Sequence, residues 1–174
     1  YYYLQCSADN SMKYDDIGRG PAVAEAVREF IDETVLPVER EWLGHGPIPP
    51  AEVEALRDIA REKEIYAPQV DEEYGGLGLG FREMLPVFEE AGRSLLGPTA
   101  LRCAAPDEGN MHTLEIAGTT DQKERWLRPL ASGDIDSGFA MTEPLQGGGS
   151  DPKMLATTAE EDGDEWVIDG HKWW

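Results

Sequence analysis

The apolar residues of this chain repeat with a helical period as far as about residue 132 and alternate beyond it, which allows neither an all-helical nor an all-strand fold. Val23, Val27, Phe30, Ile31, Val35 and Leu36 follow Pro21 at helical spacing. They predict an amphipathic helix running to about Leu43, ended by Gly44-His45-Gly46-Pro47. Val53, Leu56, Ile59 and Ala60 predict a second helix over 51–63. The stretch YAPQVDEEYGGLGLG is too rich in Pro and Gly for regular structure and reads as a loop. A third helix is expected over 81–93, a helical region over 99–117 interrupted near Pro106, and another helix over 120–127, stopped before Pro129. After Ser132-Gly133-Asp134 the short apolar run 138–142 suits a strand entering a loop at Glu143-Pro144. Residues 155–160 and 165–169 suit a hairpin turning at Asp162-Gly163, and Trp173-Trp174 a further strand. The expected fold class is α+β multidomain: an all-α bundle of about five helices, then the first strands of an antiparallel β domain.

Charge narrows the function. Thirty-five acidic against 15 basic side chains leave a formal charge of −20, the wrong sign for a surface that tracks phosphates or binds anionic lipid. Forty per cent hydrophobic residues and five tryptophans argue against disorder. No apolar run approaches the roughly 18 residues of a membrane helix. Few lysines among many carboxylates are expected of a protein kept hydrated in concentrated salt, where self-repulsion is screened. Its melting temperature should accordingly rise with ionic strength; a maximum at low salt would contradict the expectation. Cys6 and Cys103 suggest neither a disulfide framework nor a metal site, so a reducing, cytoplasmic setting is expected. His45, His112 and His171 are isolated and unsuited to a metal centre. Residues 1–11 read as a non-native or disordered leader, 12–136 as the helical domain and 137–174 as an incomplete β domain, the chain breaking off inside a strand pattern.

Two glycine-rich stretches invite a nucleotide. GGLGLG follows a loop instead of a strand and has the wrong spacing for a dinucleotide fingerprint, so its glycines are expected to shape a turn into the third helix. FAMTEPLQGGGSD differs: a strand delivers Thr142, and a Pro-ended turn leads to Gly147, Gly148, Gly149 and Ser150, whose N–H groups and hydroxyl suit a phosphate. No Lys follows as in a P-loop. A Gly-rich surface turn is the alternative.

FAMTEP, GGGSD and DGDEWVIDGHKWW together resemble the flavin-binding segment of the acyl-CoA dehydrogenase family. APQVDEEYGGLGLG and GTTDQKERWLRPLASGDI match it in the same order, so the resemblance covers nearly everything from about Ile17 onward. AAPDEGNM resembles the branch whose animal members carry a phosphotransferase-like domain. The resemblance implies FAD as cofactor, with backbone groups of Phe139 and Met141 facing the ring and the Thr142 hydroxyl near the N5–O4 edge. Gly149 and Ser150 would meet the pyrophosphate, Ser150 would also lie near the pantetheine arm of the acyl-CoA, and Trp174 would pack beside the flavin. The segment between Pro144 and Ser150 is longer than in many members, which leaves open which glycine faces the phosphate. Phe139, Met141, Trp166, Trp173 and Trp174 could equally be β-domain core. Asn110 and Met111 would border the acyl pocket or serve helix packing.

The family reaction removes a proton α to the thioester carbonyl and a hydride from the β carbon, giving the trans-2-enoyl-CoA. Its carboxylate base belongs to a C-terminal helical domain that nothing in these residues matches, so no catalytic residue is expected here, and Glu143, Glu160 and Glu161 are not substitutes. The 174-residue chain alone should bind FAD weakly and leave acyl-CoA unoxidised. Implied partners of the whole protein are acyl-CoA, an electron-transfer flavoprotein and further copies in a homodimer or homotetramer. An acyl-CoA oxidase or flavin monooxygenase of the same fold, and an acidic helical interaction module, are the alternatives.

Overall fold

The computed structural model describes residues 17–144 and 149–173. They form two compact units, dividing between Ser137 and Gly138.

The first unit is helical. Helix α1 (Gly20–Phe30) passes through a widened turn at Ile31–Val35 into α2 (Leu36–Trp42). After α3 (Pro50–Glu62) and a loop come α4 (Phe81–Ala91), α5 (Gly97–Ala100) and α6 (Asp107–Ala117). The last stretch is α7 (Thr120–Gln122), a second widened turn at Lys123–Leu127, and α8 (Arg128–Ser132). Helix α1 packs mainly on α4. The buried stripe Val27, Phe30, Ile31 and Val35 meets Val87 and Ala91 in the core. At its edge Glu90 receives Arg28 at 2.7 Å and Arg93 at 3.1 Å, while Arg93 also holds Asp32 at 2.7 Å. The hydrogen bond from Arg28 is the main cause of a lowered Glu90 pKa.

The expected helix stop before Pro129 is corrected: the chain stays helical to Ser132. The cause lies in the widened turn, where the Arg128 N–H reaches back five residues to the Lys123 carbonyl. The same device precedes Pro37, with the Leu36 N–H on the Ile31 carbonyl. Proline lacks the N–H and its ring crowds the carbonyl four residues back, and an extra residue in the turn moves that carbonyl aside. Pro86 sits inside α4 without such a turn.

The loop before α4 folds on its own backbone. The Ala67 carbonyl accepts from Val70 at 3.1 Å and Leu77 at 3.3 Å, and Gly78 donates to Val70 at 2.7 Å. Ala67, Val70 and Leu79 are buried, so GGLGLG closes a packed turn. The Thr119 hydroxyl and the Gln122 side chain cap each other's backbone at α7, a box written in the sequence as TTDQ.

In the second unit, β1 (Thr158–Asp162) and β2 (Glu165–Asp169) pair antiparallel, Asp162 opposite Glu165. The turn is centred on Gly163-Asp164, one residue later than expected, and Gly163 supplies the positive φ (+66°) that its first central position needs. Strand β1 begins at Thr158 instead of residue 155, because Pro152–Met154 form a 3-10 turn and the Ala156 and Thr157 N–H groups are bonded to the Glu143 side chain. The register puts Ala159, Glu161, Trp166 and Ile168 on one face and Glu160, Glu165 and Val167 on the other, all exposed.

Two expected strands are absent from the described residues. Among the described residues, 138–142 carry no ladder; the Trp173 N–H donates to the Thr142 carbonyl at 3.1 Å. One bond is not the repeated pairing that makes a strand. Trp173 is likewise outside regular structure, and Trp174 and the leader 1–11 lie outside the described residues.

Candidate functional site

In the second unit, the segment 139–143 is held by anchors instead of a sheet, and they come from its far end. Glu143 is 2% exposed, and its carboxylate is buried with it. It accepts the Ala156 N–H at 2.7 Å, the Thr157 N–H at 3.0 Å, the Thr157 hydroxyl at 2.5 Å and the Lys172 ammonium at 2.8 Å. Lys172, the Thr157 hydroxyl and the Ala156 N–H together hold its pKa down to about 2, against the opposing pull of burial. Lys172 also donates to the Met141 carbonyl at 2.9 Å, and the Glu143 N–H donates to the Gly149 carbonyl at 3.0 Å. The fit around Thr157 is close: a Cβ on Gly170 would lie 2.1 Å from its hydroxyl oxygen.

These anchors gather several of the expected site residues. Met141 and Thr142 are half-buried, and Gly149 is bonded to Glu143. Neither the N–H nor the hydroxyl of Thr142 has a hydrogen-bond partner among the described residues, and the same is true of the Ser150 hydroxyl. Gly149 has φ +65° with nothing within 4 Å of where a Cβ would stand. Phe139 is 66% exposed and joins no core. Gly147, Gly148 and Trp174 lie outside the described residues. The sequence marks Glu143 only as the point where a strand enters a loop and gives no reason to single out Lys172. An acid before proline with a lysine 29 residues on carries no periodic signal, and only the fold brings them together.

The first unit has a polar cavity of about 220 Å³ lined by Arg57, Thr99, Arg102, Asp107 and Asp136 among others. The Arg102 side chain is 1% exposed and fully engaged. It donates to the Leu130 carbonyl at 2.8 Å, the Ile135 carbonyl at 2.5 Å and Asp136 at 2.8 Å, and lies 3.2 Å from Asp107. Asp107 accepts the Ser137 N–H at 2.8 Å, and Asn110 donates to the Ser137 hydroxyl at 2.8 Å. The AAPDEGNM stretch therefore ties the start of α6 to the chain leaving the unit, and Met111 is fully buried in the helical core. Cys103 is a free thiol pushed up to about 12, chiefly by burial. Among the described residues no cluster of His, Cys, Asp or Glu is placed to hold a metal, and no helix is long and apolar enough to cross a membrane.

Residues 21–134 match the family described as acyl-CoA dehydrogenase, N-terminal domain, which is well over half of the chain. The chain belongs to the acyl-CoA dehydrogenase family. Among its relatives, the Mycobacterium tuberculosis protein named "Probable acyl-CoA dehydrogenase FadE2" is 41% identical over 84% of this chain and 37% of its own length. A solved protein from Mycobacterium abscessus, described as "a putative acyl-CoA dehydrogenase", superposes with a TM-score of 0.82 at 42% identity, over 90% of this chain and 42% of that one. An acyl-CoA dehydrogenase from Bacillus anthracis, solved in complex with FAD, superposes with a TM-score of 0.62 at 28% identity, over 90% of this chain and 26% of its own. The chain thus spans less than half the length of each family member compared.

Proposed function

We propose that the chain supplies the helical N-terminal unit and part of the FAD site of an enzyme that converts an acyl-CoA thioester to its trans-2-enoyl-CoA. The observation that carries this reading is the pair of unpartnered donors on Thr142, next to Glu143, whose N–H holds the Gly149 carbonyl and whose carboxylate is buried. A half-buried threonine with both donors open suits an acceptor from outside the chain, and the FAD-bound Bacillus anthracis relative suggests which one. The flavin, when bound, supplies the acceptor for the hydride.

The chain's own residues bind and orient. The Thr142 hydroxyl would donate at the N5–O4 edge. Gly149 leaves its backbone open to close approach, and Ser150 adds a donor for the pyrophosphate and the pantetheine arm. Net charge does not forbid these anions, since N–H and O–H donors act over a few ångströms whatever the global sign. The base must come from elsewhere. Glu143 is filled by four donors and held at about pKa 2, which disqualifies it as a proton acceptor near neutrality, and Glu160 and Glu161 lie exposed on the hairpin. Electrons would pass to an electron-transfer flavoprotein from a homodimer or homotetramer, as the resemblance implies, in the cytoplasmic setting that the sparse cysteines suggest.

The test is an anaerobic titration of the FAD-reconstituted full-length protein with acyl-CoAs. Bleaching of the visible flavin absorbance with formation of enoyl-CoA is expected, and slow reoxidation by oxygen compared with an electron-transfer flavoprotein. Rapid oxygen consumption would move the reading to an oxidase. A colourless protein that takes up no FAD would overturn it.

A further inference from the structure

We propose that Lys172 and Glu143 are positioning residues for the flavin, acting on it through the Met141–Thr142 peptide group. The inference rests on the flavin reading above and adds a role that the motif residues themselves do not show. Residues 138–144 lack a ladder that would fix their peptide planes. The plane that matters most carries the Thr142 N–H, and its oxygen is the Met141 carbonyl that Lys172 grips at 2.9 Å. A cation on that oxygen holds the plane and polarises the amide, which strengthens the N–H on its other side as a donor. That N–H and the Thr142 hydroxyl are the donors without partners.

Glu143 completes the device. The Lys172 side chain is 25% exposed and that of Glu143 only 3%, and the carboxylate both orients the ammonium and balances its charge. Burying such a pair seldom adds stability over an apolar alternative. A site that needs a fixed, polarised peptide gives it a purpose. The pair is neutral as a whole, so each partner's removal leaves a charge of opposite sign beside the same peptide.

That asymmetry supplies the test, made on the full-length protein with FAD. Lys172→Met leaves the cluster negative and Glu143→Gln leaves it positive. The flavin reduction potential should fall in Lys172→Met and rise in Glu143→Gln, because negative charge disfavours and positive charge favours the electron-rich reduced ring. FAD affinity should weaken by about tenfold in Lys172→Met, the scale of one charge-assisted hydrogen bond. Lys172→Arg should restore most of both. Simple loosening of the fold would move both variants the same way, and far-ultraviolet circular dichroism on each checks that the fold survives. Shifts of the same sign, or unchanged potential and affinity, would overturn the role given to the pair while leaving the flavin reading intact. A wild type that takes up no FAD would instead overturn the flavin reading itself.

Discussion

Replacing Arg102 with Ala should destabilise the first unit by about 3–5 kcal/mol, the range for removing one partner from a buried charged network. The side chain is 1% exposed and serves two carbonyls and two carboxylates from three parts of the chain. Removing it leaves the Leu130 and Ile135 carbonyls without this donor and Asp107 beside an empty space. Arg102 also holds φ +59°, a conformation that costs a non-glycine residue on the order of 1–2 kcal/mol and persists only where the surroundings demand it. Lys at this position keeps the charge but loses the planar fork, so Arg102→Lys should recover only part of the loss. Urea unfolding followed by helix circular dichroism measures both variants. A loss under about 1 kcal/mol for Arg102→Ala would show that the network adds little beyond its desolvation cost.

Arg102 also shows where sequence reading stops. The helices were legible because burial of one face writes a period of 3.6, and Val27, Phe30 and Ile31 are buried as that period requires. The break near Pro106 was legible from proline chemistry, and so was the hairpin from Gly163. Pro129 misled, because local chemistry forbids an ordinary helical turn there and says nothing of a widened one. The strand at 138–142 misled for the opposite reason: a short apolar run records which residues suit a sheet, whereas a ladder depends on a neighbour. The motif around Thr142 named residues for the site, but not how they are held. Its support is a pair 29 residues apart in sequence, together with Ala156, Thr157 and Gly170, and none of these repeats with any period. Non-local polar contacts of this kind leave no trace in spacing. The charge of −20 is a sum over the whole chain and says nothing of local donors, which around the Glu143 carboxylate are two backbone N–H groups, a hydroxyl and the Lys172 ammonium.

Acid should weaken the anchor of the second unit through Glu143. The Glu143 carboxyl sits at about 2 in the folded chain against an ordinary 4.5. A depressed carboxylate contributes its full stabilisation above the ordinary value and loses it as pH falls toward the folded one. The window is therefore roughly pH 4.5 down to 2, over which protonation of the released carboxyl increasingly competes with its bonds from Lys172, Thr157 and Ala156. Carboxylates of the first unit are lowered as well, Glu54, Glu83, Glu90, Glu124 and Asp136 among them, so a global melt mixes the two units. Amide exchange at Ala156 and Thr157 isolates Glu143, because both N–H groups end on its oxygens. Their protection factors should be constant above about pH 4.5 and fall steeply below it. In Glu143→Gln the side-chain oxygen can keep one of these bonds, so protection should be lower at neutral pH and nearly flat with acid. Protection that stays level to pH 2 in the wild type would mean that these amides are held by something other than the carboxylate. A parallel fall in Glu143→Gln would place the titrating group elsewhere. The expected divergence between the two proteins ties the acid response of this segment to one side chain, the same one that orients Lys172 on the Met141 carbonyl.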